Sequence, residues 1–318
     1  MKRIVPLLHL VVLITLAMLI PTTSPAYPLV YDGFTGDVGA EPPHYLYNQT
    51  DTLGGTFAST GFGANKWNNL PGNNALNEVV GSLTYTDSHG NTLYSSGDSV
   101  TDGNNNRAFR NIDTSSLLFA GFTNGSGSSQ NIGYNGTSPT IVYLSWVEQS
   151  NQTGGNPYYG LELHTSQNSA DSSKILDFEP GGIRVSNATL TAYSTAPTMT
   201  NVNFFVAKLT FNGSGNDSVT LYDNPILGDP LSNPIATVSN LNINFNQIGF
   251  GNFSNPSLVA SFGDIRLGSS LSDVEPFAAV PEPSTWALLI AALLVMVMLR
   301  RGDIRTVYQN KFEALERP

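Results

Sequence analysis

The stretch LNINFNQIGF (241–250) alternates apolar and polar residues, and this pattern constrains the fold more than any other feature of the chain. In an extended chain, its apolar residues face one side and its asparagines the other: Leu241, Ile243 and Phe245 against Asn242, Asn244 and Asn246. A period of two is typical of a strand with one face on a core and one in water. FFVAKLTF (204–211) alternates in the same way, and TIVYLSWVE (140–148) is rich in β-branched and aromatic residues. The sequence therefore predicts half-buried strands.

Clusters of Gly, Asn, Asp and Ser separate these segments, as at DGNNN (102–106), NGSGSS (124–129) and NGSGND (212–217). Such clusters are typical of tight turns, and no helical period longer than about two turns occurs before residue 284. Many short strands joined by turns favour an antiparallel sandwich. We predict an all-β fold, a two-sheet antiparallel jelly-roll sandwich over residues 27–278, in which the first and last segments pair.

The order of several segments resembles the concanavalin A-like, laminin-G-like jelly roll. The matching segments are YDGFTG (31–36), LGGTFASTGFGANKW (53–67), GSLTYTDSHGNTLYSSG (81–97), NNRAFRNID (105–113), YYGLELHT (158–165), FVAKLTFNGSGNDSVTLYDNP (205–225) and SFGDIRLGSSLSDVEP (261–276). Each motif is loose, and the likeness rests on their order and spacing. Related jelly rolls include glycan-cleaving enzymes, lectins and structural modules, so the resemblance implies a fold and leaves the function open.

Composition excludes several classes of function. The chain has no cysteine, which excludes disulfides and thiolate chemistry. Residues 27–278 carry twenty Asp and Glu against seven Lys and Arg, and this balance argues against nucleic acid as a partner.

The N-terminus has the three parts of a secretory signal peptide. Lys2 and Arg3 precede an apolar stretch that runs to Ile20, and the small residues of SPA (24–26) follow. We expect cleavage between Ala26 and Tyr27, which makes residues 1–26 the signal peptide. An uncleaved N-terminal anchor is the alternative.

The C-terminus contains a short apolar run at 286–299, bounded by Trp286 and Leu299 and followed by Arg300 and Arg301. Fourteen helical residues span about 21 Å, less than the roughly 30 Å of a hydrocarbon core. Extending the helix to 284–300 and letting the arginines reach the interface gives a minimal span. A buried core helix is the alternative, but the run has no amphipathic face.

The same region resembles the PEP-CTERM sorting signal of Gram-negative bacteria over residues 279–303. The matching residues are Val280, Pro281, Glu282, Pro283, Ser284, Thr285, Trp286, Ala287, Arg300 and Arg301. The resemblance implies that an exosortase recognises the motif and removes the helix, after which the protein passes to the outer surface or the extracellular matrix. The partners it implies are the exosortase, membrane lipid before sorting, and exopolysaccharide. Residues 304–318, predicted as a short cytoplasmic tail, exceed the usual length of such a signal.

No acid pair of a glycan-cleaving enzyme stands out. A retaining glycosidase needs two carboxyl groups about 5–5.5 Å apart. Asp177 and Glu179 come nearest, sharing one strand face at roughly 6–7 Å, and we interpret them as two solvated acids at a strand end. Glu148 and Glu162 are isolated in sequence and predicted to face solvent. We therefore predict no catalytic residue.

Two weaker binding hypotheses concern calcium and glycans. Asp98, Asp102 and Asp217 lie in Asn- and Gly-rich turns, which suit either a calcium site or ordinary turn chemistry; no other cofactor is indicated. Trp67, Tyr158 and Tyr159, next to polar residues, are candidate glycan contacts, with core packing as the alternative.

Two functions remain. The favoured one is a non-catalytic exported surface or matrix protein, sorted by its C-terminal motif and with weak affinity for glycans. The alternative is a secreted glycan hydrolase or lyase on a jelly-roll scaffold.

Overall fold

The computed structural model describes residues 28–34, 60–62, 67–69, 77–79, 81–95, 97–103, 107–116, 119, 121–125, 130–136, 139–151, 159–165, 174–185, 192–213, 215–252 and 258–278. The strands of this part of the chain are β1 (Val30–Asp32), β2 (Asn68–Asn69), β3 (Asn77–Val79), β4 (Thr92–Leu93), β5 (Ser99–Gly103), β6 (Arg107–Asn111), β7 (Thr123–Asn124), β8 (Asn131–Gly133), β9 (Thr140–Ser150), β10 (Tyr159–His164), β11 (Lys174–Glu179), β12 (Gly182–Val185), β13 (Ala192–Tyr193), β14 (Asn203–Phe211), β15 (Asp217–Asp223), β16 (Ala236–Leu241), β17 (Asn244–Phe245), β18 (Gln247–Asn252), β19 (Val259–Gly268) and β20 (Phe277–Ala278). One helical turn, α1 (Leu271–Val274), precedes β20.

Two antiparallel sheets dominate the fold. The eight-stranded sheet runs β16-β15-β14-β9-β19-β5-β3, with β1 also paired to β19, and the seven-stranded sheet runs β13-β12-β11-β10-β18-β6-β2. The consecutive strands β5 and β6 lie in opposite sheets, where β5 pairs with β19 and β6 pairs with β18. On their other sides, β19 pairs with β9 and β18 pairs with β10, which are again consecutive strands. This nested pairing is jelly-roll connectivity, so the prediction of an all-β, antiparallel two-sheet fold is confirmed.

The pairing of β1 with β19 confirms that the first and last of the matching segments, 31–36 and 261–276, pair. Val30 lies opposite Leu267, and Asp32 lies opposite Ile265.

The two sheets pack over one apolar core. The Trp146 ring on β9 stacks on Phe205 of β14 at 5.3 Å and contacts Phe178 of β11 in the opposite sheet at 5.4 Å. Phe250 on β18 meets Phe262 on β19 at 4.9 Å. Aromatic pairs at these separations contribute beyond their buried area, and they join the two sheets directly.

The alternation predicted for 204–211 is confirmed on the core face, where Phe205, Ala207, Leu209 and Phe211 are all buried. The opposite face is not in water along its whole length, because Phe204 and Val206 are buried in a second apolar cluster. The prediction for 241–250 needs a correction. Its burial does alternate, with Ile243 and Phe245 buried and Asn242 exposed. The segment, however, is divided among three sheets: β16 ends the eight-stranded sheet, β17 belongs to a small sheet with β8 and β7, and β18 belongs to the seven-stranded sheet.

A buried ion pair anchors β1 to β6. The Arg110 Nη1 donates to Asp32 Oδ2 at 2.6 Å, and the Trp67 Nε1 donates to the same oxygen at 2.8 Å. The guanidinium of Arg110 also lies over the Phe62 ring, 4.4 Å from its centroid. Buried charges are stable only when they are paired and hydrogen-bonded, so this network fixes the register of the first strand.

The outer faces of the two sheets differ. An apolar cluster that includes Tyr85, Phe204 and Leu227 covers the outer face of the eight-stranded sheet. Charged side chains occupy the outer face of the seven-stranded sheet, which is where we place the candidate site.

Candidate functional site

Seven charged or titratable side chains meet on the outer face of the seven-stranded sheet. We call them the charged array: Arg107, Glu162, His164, Lys174, Asp177, Glu179 and Arg184. The carboxylates and His164 lie deepest, with side-chain exposures of 4% or less, whereas Arg107 and Arg184 are 13% and 14% exposed. The array is therefore recessed, and its arginines are its most accessible members.

Strand alternation and register assemble this array. Leu161 and Leu163 of β10 point into the core, which turns Glu162 to the outer face. Glu162 lies directly opposite Asp177 of β11, which in turn lies opposite Arg184 of β12. Side chains opposite each other across antiparallel strands have Cβ atoms about 5 Å apart, so these three groups must interact.

A β-bulge brings Lys174 into the array. The pairing of β10 with β11 shifts between Leu163 and His164, and Ile175 is left without a partner. Without the shift, Lys174 would share the core-facing side of β11 with Leu176 and Phe178. A bulge commonly redirects a side chain in this way.

Glu162 is at the centre of the array. Its Oε1 accepts from the Arg107 Nη2 at 2.7 Å and also contacts the Lys174 Nζ. Its Oε2 lies 3.0 Å from the His164 Nε2. Burial alone would raise its pKa, but the hydrogen bond from His164 and the charges of Arg107 and Lys174 lower the pKa of Glu162 to about 2. Glu162 is thus ionised at neutral pH, and both of its oxygens are engaged.

Asp177 and Glu179 are less completely paired. The Lys174 Nζ donates to Asp177 Oδ2 at 3.2 Å, and the Arg184 Nη2 donates to Glu179 Oε1 at 2.7 Å. Burial raises the pKa of Asp177 to about 7, against the attraction of Lys174 and with the repulsion of Glu162. Burial also raises the pKa of Glu179, opposed by Arg184. These carboxyl groups are therefore closer to neutrality than Glu162.

Three buried acceptor oxygens on this face have no hydrogen-bond partner. They are Asp177 Oδ1, Glu179 Oε2 and the Oε1 of Gln247, whose Nε2 donates to Asn111 Oδ1 at 2.8 Å. A buried acceptor without a donor costs about 1–3 kcal/mol, and such atoms commonly mark a site completed by a ligand or water.

Strand β18 leaves room beside these oxygens. Gly249 lies between Phe109 of β6 and Glu162 of β10, and a Cβ added there would be 3.1 Å from the Ala108 carbonyl oxygen, 3.2 Å from the Phe109 Cβ and 3.8 Å from Glu162 Oε2. Because residue 249 is glycine, no side chain fills the outer face of β18 between Phe109 and Glu162.

The structure corrects two predicted glycan contacts. Trp67 and Tyr159 are both fully buried in the core, Trp67 bonded to Asp32 and the Tyr159 hydroxyl 2.7 Å from that of Ser150. Neither ring can lie against a sugar, because apolar neighbours already cover it. Tyr158 lies outside the described residues.

The predicted solvation of four acids is also wrong. Glu148, Glu162, Asp177 and Glu179 are each 3% exposed or less. Glu148 faces the core between the sheets, and the other three belong to the charged array. Asp177 and Glu179 do share one strand face, and the register also places Glu162 directly opposite Asp177.

The candidate calcium ligands contact different parts of the fold. Asp98 Oδ1 accepts from the Gly81 amide at 2.8 Å, whereas both oxygens of Asp217 accept from backbone amides, including those of Asn212 and Ile243. Hydrogen bonds of this kind, from backbone amides to an Asp side chain, are the ones that stabilise tight turns. Asp102 lies on β5, but its side chain is outside the described part. Among the described residues, no group of three or more His, Asp or Glu is placed to hold a metal ion.

The predicted signal and sorting segments, with cleavage at Ala26 and Tyr27 and the sorting motif at 280–301, lie outside the described residues. Within the described ranges, no helix has both the length and the hydropathy to cross a membrane.

Sequence inspection missed Arg107, His164, Lys174, Arg184 and Gln247. One signal was available within β11 and β12, where Lys174 and Arg184 lie within seven residues of Asp177 and Glu179, whereas Arg107 is on β6 and Glu162 on β10. Only the strand order shows that these strands are neighbours, because β6 and β10 are separated by more than forty residues in sequence.

Comparison with known proteins adds little to this geometry. No family model and no curated protein matches the chain. Among solved structures, the Trypanosoma cruzi calreticulin globular domain matches with a TM-score of 0.38, 10% identity, and coverage of 65% of this chain and 85% of that one. An endo-β-1,4-glucuronan lyase from Trichoderma reesei matches with a TM-score of 0.33 and 7% identity, over 66% of this chain and 97% of that one. Lectin I-B4 from Griffonia simplicifolia matches with a TM-score of 0.32 and 14% identity, over 65% of this chain and 93% of that one. At TM-scores below 0.5, these likenesses carry no conclusion about function.

Proposed function

We propose that the protein is an exported surface or matrix protein that binds a glycan at the charged array without cleaving it. The observation that carries this proposal is the set of three unpaired acceptors on one recessed sheet face: Asp177 Oδ1, Glu179 Oε2 and Gln247 Oε1. Sugar hydroxyls are hydrogen-bond donors, and a glycan bound on this face would complete these buried acceptors once the side chains that cover them move aside.

The environment of Glu162 supports binding over cleavage. A glycosidase nucleophile or base needs an accessible carboxylate oxygen. Both oxygens of Glu162 are already engaged by Arg107, Lys174 and His164. Lys174 contacts both Glu162 and Asp177, so its ammonium group occupies the place where a sugar would have to react.

A glycan hydrolase or lyase is the second candidate, favoured by one observation. Glu162 and Asp177 lie opposite each other, and their surroundings shift their pKa values in opposite directions, down for Glu162 and up for Asp177. Such a division is typical of acid and base pairs in enzymes. Degradation of a polysaccharide by the wild-type protein, abolished by Asp177→Asn with Glu179→Ala, would support this candidate.

The delivery of the protein is part of the proposal. The sequence motif at 280–283, the apolar run at 286–299 and the two arginines support recognition by an exosortase, after a transient stay in membrane lipid. Replacing Pro281 and Glu282 by alanine should leave the protein in the membrane fraction of the native host. Release of that variant to the surface at the wild-type level would contradict sorting by this motif.

Binding is tested with the full-length chain in detergent, by affinity electrophoresis against a panel of polysaccharides and the exopolysaccharide of the native host. We expect retardation by at least one glycan, weakened about tenfold or more by Asp177→Ala with Gln247→Ala. Asp229→Ala, on an exposed loop, is the matched control and should bind normally. Each lane is run with calcium and with chelator, and loss of binding in chelator would indicate a calcium-dependent site. No retardation by any glycan would contradict the proposal.

A further inference from the structure

We infer that the charged array selects neutral, hydroxyl-rich glycans and rejects glycans that carry uronates. This inference rests on the proposed glycan-binding function and names the class of ligand that the same site accepts.

The cations of the array are already engaged by internal carboxylates. The Arg107 Nη2 lies 2.7 Å from Glu162 Oε1, and the Arg184 Nη2 lies 2.7 Å from Glu179 Oε1. Lys174 contacts both Glu162 and Asp177. To pair with one of these cations, a uronate carboxylate would have to displace the internal carboxylate that the cation now contacts. The displaced carboxylate would then be buried without its cation, which is unfavourable.

The three oxygens without a hydrogen-bond partner are acceptors. Asp177 Oδ1, Glu179 Oε2 and Gln247 Oε1 can each take a hydrogen bond from a sugar hydroxyl, and while both carboxyl groups are ionised none of the three can donate to a deprotonated uronate. Two of the three belong to carboxyl groups, which repel an anion when ionised. The atoms that await a partner therefore fit a hydroxyl donor and oppose a carboxylate.

The net negative charge of the rest of the domain also disfavours glycans that carry uronates. Residues 27–278 carry twenty acids against seven Lys and Arg, and three of those seven are held in the array. The remaining surface is acidic, which slows the approach of a polyanion and leaves a neutral polymer unaffected.

The same geometry gives the selectivity a pH dependence. The groups that interact with Asp177 and Glu179 are Lys174 on their own strand, Glu162 on β10 and Arg184 on β12, with Glu148 behind the sheet. Arg107 on β6 and His164 on β10 complete the array through Glu162. Burial raises the pKa of Asp177 to about 7 and also raises that of Glu179. An ionised carboxylate is the stronger acceptor, so affinity for a neutral glycan should rise with pH while affinity for a polyuronate falls.

The test compares two polymers of similar length, a neutral glucan and a polyuronate, against the full-length protein at pH 5.5 and 8.5 by affinity electrophoresis. At pH 8.5 we expect the neutral polymer to bind at least tenfold more tightly than the polyuronate. We also expect the affinity for the neutral polymer to be severalfold higher at pH 8.5 than at pH 5.5. Equal or tighter binding of the polyuronate would overturn the selectivity and leave the glycan-binding function standing. Binding of neither polymer, nor of any polysaccharide in the wider panel, would overturn the function itself.

A shape-conserving variant provides the second readout. Asp177→Asn with Glu179→Gln removes both charges and keeps both outlines, so the preference for the neutral polymer should narrow and its pH dependence should disappear. Unchanged discrimination in a folded variant would contradict the role of these carboxylates. Should the variant fail to fold, the comparison of polymers on the wild-type protein decides the inference alone.

Discussion

Asp32 illustrates how much a single buried residue can determine. Its Oδ2 accepts from Arg110 at 2.6 Å and from Trp67 at 2.8 Å, and its Oδ1 accepts from the Phe34 amide at 2.9 Å. Asp32→Ala would leave the Arg110 charge buried without its partner, which typically costs about 3–5 kcal/mol. We expect the free energy of unfolding of the full-length protein in urea to fall by that amount.

Asp229→Ala is the control for Asp32→Ala, because Asp229 is exposed on a loop. Surface substitutions of this kind change stability by about 0.5 kcal/mol or less. Similar losses in the two variants would show that the Asp32 network contributes little to stability.

Glu148 should make stability depend on pH. Burial raises its pKa to about 8, which the hydrogen bond from Trp146 opposes and the charge of Asp177 reinforces. The folded protein then retains a proton that the unfolded chain loses above its ordinary pKa of 4.5. The free energy of unfolding should therefore fall as the pH rises between these two values, by about 1.4 kcal/mol per unit from this group.

Glu148→Gln isolates that contribution, because glutamine keeps the acceptor for the Trp146 Nε1, 2.9 Å away, and does not titrate in this range. We expect the variant to lose less stability than the wild type between pH 5 and pH 8 in urea titrations. Parallel pH profiles for the two proteins would refute a buried, protonated Glu148.

At the scale of the elements, the approach of β10 to β11 depends on Gly160. Its φ is +154°, and an added Cβ would lie 1.9 Å from the Phe178 carbonyl oxygen. Gly160→Ala should therefore destabilise the protein by about 3 kcal/mol. Gly121→Ala is the matched control, since its φ is also positive, at +93°, but nothing lies within 4 Å of its added Cβ. Equal shifts of the thermal midpoint in the two variants would exclude the clash as the cause.

The elements also show what sequence reasoning can and cannot predict. Alternation in 204–211 predicts which residues enter the core, because a core requires apolar side chains. The same alternation leaves the outer face undetermined, since a solvated acid and a buried, paired acid look alike along one strand. Glu162 is buried because register places Asp177 opposite it, and Lys174 joins them only through a bulge. Pairing between distant strands sets all of these contacts.

At the scale of the whole molecule, the two sheets share one core and differ on their outer faces. The eight-stranded sheet is covered by an apolar cluster, and the seven-stranded sheet carries the charged array. This asymmetry separates the stability of the fold from the chemistry of the site. Changes on the array face should therefore alter binding while the core keeps the protein folded.

Gly249→Val tests the location of the glycan most directly, because it places methyl groups between Phe109 and Glu162 without removing a charge. Gly263→Val is the control for a glycine-to-valine change away from the site, on the opposite sheet, where an added Cβ meets Leu83 at 3.7 Å; Gly249 is tighter, with the Ala108 carbonyl oxygen at 3.1 Å. Affinity electrophoresis of both full-length variants on the glycan bound by the wild type, with folding verified by thermal unfolding, is the measurement. Tenfold or greater loss for Gly249→Val with wild-type binding for Gly263→Val is the predicted result, and unchanged affinity of a folded Gly249→Val would contradict glycan binding at the charged array.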